Sequence, residues 1–289
     1  MKMIDQVFIL LQRIIPQHWL SMQMYKLTRC KIGFIKNFLI KTVIKLYKVD
    51  MDVAVEQNPA NYIHFNDFFV RQLRTDARPV TAEEKAIASP VDGAVSQIGP
   101  INDTQLFQAK GKTYSLSSLL ANDQTLSDFF INGHFATLYL SPRDYHRIHM
   151  PLDGRLKKMT YVPGKLFAVN QRTVRHVPAL FARNERTIIW FDTKAGPMVI
   201  ILVGAIFVGS METVWHQGMI TPPYGNEIKT WEYDGSLTLK KGEEMGRFNM
   251  GSTVILLFGK DQIRWVEELQ RDSILQMGQL IGQVIEKTA

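Results

Sequence analysis

The chain opens with apolar positions that recur at helical spacing and changes texture near residue 60. Val7-Phe8-Ile9-Leu10-Leu11 and Ile14-Ile15 form greasy runs broken by Arg13 and Pro16. From Lys31 to Lys48, Ile32, Ile35, Phe38, Leu39, Val43 and Leu46 fall on one side of a helix, and Lys41, Lys45 and Lys48 fall on another. Phe65 to Leu73 reads as a short amphipathic helix starting at Asn66 or Asp67. After Arg78-Pro79 the chain consists of short apolar runs separated by Gly and Pro. Strands are expected at 93–98, 135–140, 156–162, 187–192, 198–203, 236–239, 254–258 and 263–267. A helical turn is expected within 114–120, and tight turns at 241–246 and 276–282. The fold class is therefore α+β: a helical segment over 1–60, followed by a β-rich body over 61–289.

Charge sharpens this division. The 289 residues carry a net charge of +7. Residues 1–50 hold nine of the 34 basic and two of the 27 acidic side chains, so the remainder is balanced. The chain is not a uniformly basic nucleic-acid binder. No apolar run reaches the roughly 18–20 residues of a membrane span. Arg13, with no small-residue cleavage site after it, speaks against a signal peptide. A basic amphipathic helix can instead lie in a bilayer interface, with lysines near anionic headgroups. A surface helix with solvated lysines is the equal alternative. The single cysteine, Cys30, excludes an intramolecular disulfide and a thiolate zinc cluster, and fits a reducing compartment.

Gly-x-Gly-x-x-Gly, Walker, His-Glu-x-x-His and Gly-x-Ser-x-Gly motifs are all absent. His146-x-x-His149 lacks carboxylate or thiolate partners in the motif and is a weak metal signal, so no metal is expected. Three segments carry chemistry. Ser89-Pro90-Val91-Asp92-Gly93 is by itself an ordinary turn. The segment 140–151 follows an apolar strand and concentrates His146 and His149, residues that can act as base and then acid near neutral pH. Gly251-Ser252-Thr253 enters an apolar strand: either a glycine bulge with two hydroxyls, or a serine nucleophile after a permissive glycine. Asp92, His149 and Ser252 supply the residue types of a nucleophile, base and orienter, but composition does not bring them together.

Five segments strongly resemble the bacterial phosphatidylserine decarboxylases. They are Ser89-Pro90-Val91-Asp92-Gly93, the run Pro142 to Pro151, the run Tyr161 to Asn170, the run Val203 to Ser210, and Gly246-Arg247-Phe248-x-Met250-Gly251-Ser252-Thr253. They occur in order across about residues 60–260. Met250 stands where the family usually has Leu, an apolar swap of conserved volume.

The resemblance implies a proenzyme. Asp92 would orient His149, and His149 would activate Ser252 to attack the carbonyl of Gly251. Ester formation and elimination would give a β chain, 1–251, and an α chain, 252–289, that begins with a pyruvoyl group made from Ser252. That covalent cofactor would form a Schiff base with the serine amine of phosphatidylserine, releasing CO2 and phosphatidylethanolamine. His146 would return the proton or place the substrate. Strained φ/ψ and the missing Cβ are the expected reasons for Gly251. The implied partners are phosphatidylserine, an anionic membrane surface and the two chains of one precursor, with a homodimer left open and no nucleic acid. The implied location is peripheral, on the cytoplasmic side of the cell membrane. A pyruvoyl decarboxylase of a soluble amino acid, a Ser-His-Asp hydrolase with an intact chain, and a non-catalytic membrane-binding protein remain as alternatives.

Overall fold

The computed structural model describes residues 3–207, 210–220, 227–251 and 253–286. Three helices come first: α1 (Met3–Ile14), α2 (Gln17–Thr28) and α3 (Gly33–Tyr47). Pro16 separates α1 from α2 where its ring ends helical hydrogen bonding. No helix among the described residues is long and apolar enough to cross a membrane. The body is β-rich, so the expected α+β architecture holds.

Helix α3 forms where its apolar spacing predicts, but it turns a different face inward. Ile40 is fully buried, and Lys36 points into the protein, where its Nζ donates to the carbonyls of Ala60 (2.7 Å) and Tyr62 (2.5 Å). Phe34, Phe38 and Leu46 are left outside, 77%, 69% and 68% exposed. Two carbonyl acceptors offset the cost of burying the Lys36 ammonium.

Helix α4 (Phe65–Phe69) is shorter than the sequence suggests. His64, rather than Asn66 or Asp67, caps it: its Nδ1 accepts from the Asp67 N–H at 3.0 Å. The chain then leaves the helix at Val70 and bridges Leu73 to Ala54. Tyr62, Phe65, Phe68 and Phe69 form one apolar cluster with Ile40 and Val49. Met250 packs against this cluster and also against the main core.

Among the described residues the main sheet has nine strands, all paired antiparallel. Thr253–Phe258 lies near its middle, between Gly196–Val203 and His134–Tyr139, with all six residues buried. Such a continuous apolar run is what a strand covered on both faces requires. A three-stranded sheet, Met211–Thr213, Glu244–Phe248 and Arg147–His149, carries the histidine segment. The sequence does not announce it. The stretch 241–246 reads as a turn, and only its first part is one, with Gly242 at φ 85°. From Glu244 the chain pairs as a strand. Likewise, Gly278 turns at φ 86°, and the rest of 276–282 runs into strand Leu280–Val284.

Candidate active site

Ser252 lies outside the described residues, so the site is built from its neighbours. Thr253 starts the central strand, in register with Val203 on one side and Tyr139 on the other. Gly251 precedes it. Its φ is not in the left-handed region, so the expectation of a strained glycine is corrected: space is the reason for glycine here. A Cβ at this position would stand 2.9 Å from His146 Nε2 and 3.3 Å from the Leu140 carbonyl oxygen. His146 cannot readily give way. It is fully buried, and Phe69 of α4 packs its ring 4.1 Å from the imidazole, centroid to centroid.

The protonation of His146 follows from its partners. Its Nδ1 lies 2.8 Å from the Asp144 carbonyl, an acceptor, so Nδ1 carries the hydrogen and donates. Nε2 is then a lone pair, buried and without a partner among the described residues. Burial, with a smaller contribution from the nearby Arg71 guanidinium, lowers its pKa to about 3. The Asp144 carboxylate is engaged elsewhere, accepting from the Ser141 N–H (2.7 Å) and Oγ (2.8 Å). An unpartnered buried acceptor costs about 1–3 kcal/mol and asks for an explanation.

His149 has different surroundings. Its Nδ1 donates to the Gly242 carbonyl (2.8 Å), and its Nε2 accepts from the Tyr145 hydroxyl (3.1 Å). Burial lowers its pKa, so it too is neutral near pH 7. Asp92 is not hydrogen-bonded to it. Both Asp92 oxygens are taken by Arg78, from Nε at 2.8 and 3.0 Å and from Nη2 at 2.6 Å, and Oδ1 also accepts from the Met277 N–H at 2.8 Å. The direct orienting contact from Asp92 to His149 is therefore corrected: a fixed cation and a backbone N–H occupy the carboxylate. The two residues are linked instead through the backbone, where the His149 N–H donates to the Pro90 carbonyl at 2.9 Å.

The approach to Gly251 is held from several directions. Asn66 of α4 donates to the Asn249 carbonyl at 2.6 Å, and the Asn249 N–H donates to the Ser210 carbonyl at 3.0 Å. The Asn249 amide also reaches the Ser210 hydroxyl and Glu212 Oε1. Phe248 N–H donates to the His146 carbonyl at 3.0 Å, tying the histidine loop to the same segment. A largely apolar cavity of about 290 Å³ opens on Gly251 and Met250. Its walls include Val43 and Tyr47 of α3, Phe69 of α4, and Phe207. The front helices thus border the cavity that opens on Gly251.

Sequence reasoning missed Arg78, Tyr145, Phe69, Asn66 and Asn249. Tyr145 sits inside the quoted histidine run and could have been suspected there. The others act through contacts that no local pattern reveals. Among the described residues, no group of three or more His, Cys, Asp or Glu is placed to hold a metal. The arrangement supplies a sterically confined glycine at 251, two neutral imidazoles and an apolar cleft. It suits acyl transfer within the chain and chemistry on a partly apolar substrate.

Comparison with known proteins points the same way. A family model described as phosphatidylserine decarboxylase matches residues 65–283, and a second, described as PSD, matches residues 7–48. A phosphatidylserine decarboxylase proenzyme of Azotobacter vinelandii is 50% identical over 283 residues, covering 96% of this chain and 98% of that protein. Proenzymes of the same description from Nitrosococcus oceani and Shewanella sp. are each 50% identical, over 283 and 280 residues. The first alignment covers 97% of this chain and 92% of the relative, the second 95% and 96%.

Proposed function

Because the chain belongs to the phosphatidylserine decarboxylase family, we propose that it cuts itself between Gly251 and Ser252 and then converts phosphatidylserine to phosphatidylethanolamine and CO2. The observation that carries this reading is the contact at Gly251. The residue before the serine is packed against an unpartnered imidazole lone pair, at the inner end of an apolar cleft.

The self-cleavage step uses this chain's own atoms. Ser252 Oγ attacks the Gly251 carbonyl carbon, and the peptide C–N bond breaks to leave an ester and a free amine. Removal of the Ser252 α-proton then expels the Gly251 carboxylate. The dehydroalanine left behind takes up water and loses ammonia, giving the pyruvoyl ketone. His149 is assigned as the base and Asp92 as its support. To act as a base, His149 must first release the Tyr145 hydroxyl from its Nε2, which makes Tyr145 part of the proposed set. Asp92 acts by fixing Pro90–Gly93 through Arg78 and Met277, and so the backbone that holds His149.

The residues around Gly251 suit such a group: the cleft is mainly apolar and the nearest imidazole is neutral. When present, the pyruvoyl carbonyl supplies the electron sink for decarboxylation. The His146 Nε2 lone pair accepts a hydrogen bond from the substrate amine and guides that proton to the substrate carbon after CO2 departs, without standing as an imidazolium. Phe69 keeps that imidazole aimed by stacking on it.

A lipid is favoured over a soluble amino acid because α3 borders the cleft while Phe34, Phe38 and Leu46 of the same helix face outward. With Lys41, Lys45 and Lys48 also exposed, α3 offers an apolar and basic face to an anionic bilayer, on the cytoplasmic side. The test is a denaturing gel with intact mass. Wild type is expected as chains of 251 and 38 residues, the small one blocked by a ketone, and Ser252→Ala as one uncut chain of 33.1 kDa. Two chains from the alanine protein overturn the proposal, as would turnover of free serine in preference to phosphatidylserine micelles.

A further inference from the structure

A second cavity, of about 390 Å³, lies at the corner between α1 and α2. Arg13, His18, Lys165 and Arg183 line it, together with Trp19 and Phe167. From this cavity we infer a separate binding site for a phosphate ester, the headgroup phosphate of an anionic phospholipid that is not the reacting substrate.

The charge is the first argument. Among the described residues, Arg13, Lys165 and Arg183 form no ion pair. Three cations converging on one concavity repel each other, and an anion between them removes that repulsion. Arg183 is further constrained, its guanidinium 5.1 Å over the Phe167 ring. A carboxylate is also present at the edge: Glu185 Oε2 lies 3.9 Å from His18 Nε2 and accepts from the Tyr161 hydroxyl at 3.1 Å. Helix α2 starts at the cavity behind Pro16, and no side chain caps its first turn. That adds partial positive charge to the lining cations.

Position is the second argument, and it selects the ligand. Beside the cavity, Ile14 is 69% exposed, Trp19 58%, Leu10 55% and Leu11 54%. A phosphate bound among the cations would have apolar surface next to it for acyl chains, and Trp19 is a residue type that favours the boundary between the two. The volume is in the range of small-ligand sites.

The site is distinct from the cleft at Gly251, and the same chain segment walls both. Lys165 and Phe167 line the basic cavity, whereas Ala168, Val169 and Asn170 line the cleft. Gln17 Oε1 accepts from the Leu166 N–H and Gln12 Oε1 from the Ala168 N–H, both at 2.8 Å, so the wall is anchored to α1 and α2. The inference rests on the membrane reading above only for the source of the phosphate.

The test uses the full chain as purified, cut or uncut, and two soluble probes: dihexanoyl phosphatidylglycerol below its micelle concentration, and inorganic phosphate. Binding is measured calorimetrically on wild type, on the triple variant Arg13→Gln, Lys165→Gln, Arg183→Gln, and on Lys110→Gln, Lys229→Gln, Lys260→Gln, three exposed lysines away from both cavities, as a charge-matched control. The cavity variant is expected to bind at least about tenfold more weakly, and the control to stay within about twofold. Loss for the lipid probe alone identifies the headgroup as ligand, and equal loss for both probes identifies free phosphate. Equal weakening in both variants, unchanged binding in the cavity variant, or no binding by wild type overturns the site. The single exchange Lys165→Glu, at an exposed position, decides the matter if the triple variant fails to fold. None of these readouts depends on chain cleavage or turnover, so this site and the proposed reaction fail separately.

Discussion

His146 Nε2 stands 2.9 Å from the point where any side chain at position 251 would begin. That contact makes Gly251 a steric requirement. Gly251→Ala should displace a stacked, fully buried imidazole, an overpacking cost of about 1–3 kcal/mol. Cleavage should slow by at least about tenfold, followed as two-chain formation on a gel against time. Cleavage at the wild-type rate would show that the imidazole yields freely.

His146→Ala should separate the two reactions. His149, not His146, is the assigned base for chain cleavage, so the variant should still give two chains. It should then lose decarboxylation by roughly 10²–10⁴-fold, the usual contribution of a proton-transferring side chain. Release of labelled CO2 from phosphatidylserine by the cleaved variant measures this directly, and normal turnover removes His146 from the mechanism.

Asp92 and Arg78 form a buried pair, their side chains 8% and 14% exposed. Breaking such a pair from either side costs about 3–5 kcal/mol. Asp92→Asn and Arg78→Leu should therefore both lower the melting temperature and both slow maturation. If only Asp92→Asn stops cleavage, the carboxylate acts directly on His149 and the indirect route through the backbone is wrong.

The buried histidines set an acid limit on stability. His146 stays unprotonated down to about pH 3 in the folded chain, against an ordinary value of 6.5. Between those values the unfolded chain binds a proton that the folded chain does not. Stability should thus fall as pH drops below 6.5, by about 1.4 kcal/mol per pH unit for each such proton. His149 shifts in the same direction. Urea unfolding of the Ser252→Ala chain at several pH values gives the slope, and adding His146→Gln should reduce it by one proton.

Helix α3 offers a test of membrane binding. Changing Lys41, Lys45 and Lys48 to Gln should weaken co-sedimentation with anionic vesicles by about 3 kcal/mol at most and hardly affect neutral ones. Phe34→Ser with Phe38→Ser should weaken both, because each ring is mostly exposed and available for insertion. Unchanged binding of the lysine variant to anionic vesicles at low salt would mean that those lysines are merely solvated.

Much of the sheet was legible because its strands are continuous apolar runs. Val254–Phe258 was displaced from the observed strand by only one residue at its start. Helix α3 was legible as a helix, but its inward face was not: periodicity cannot foresee that Lys36 finds two carbonyls while Phe34 finds nothing. The site was legible in part. Asp92, His146 and His149 were singled out from their segments and the resemblance these carry, but the partners the structure gives them were not. Arg78, Tyr145 and Gly242 are chosen by how the small sheet folds back, and the strand Glu244–Phe248 that does this was hidden behind a turn signal.

The place of the Gly251–Ser252 bond in the sheet has one more consequence. Thr253–Phe258 is inserted between two long neighbours, and a cut at its entrance leaves the 38-residue product in possession of the sheet's centre. Neither product can then be a folded protein alone. An uncut chain holds all these strands on one polymer, whereas the proposed cleaved pair, once denatured, would have to find each other in solution as well as fold. Maturation is in this sense a one-way latch. Under the proposed cleavage, a reactive ketone would arise only in molecules that have already assembled their core, and a molecule that lost its core afterwards would have no simple way back.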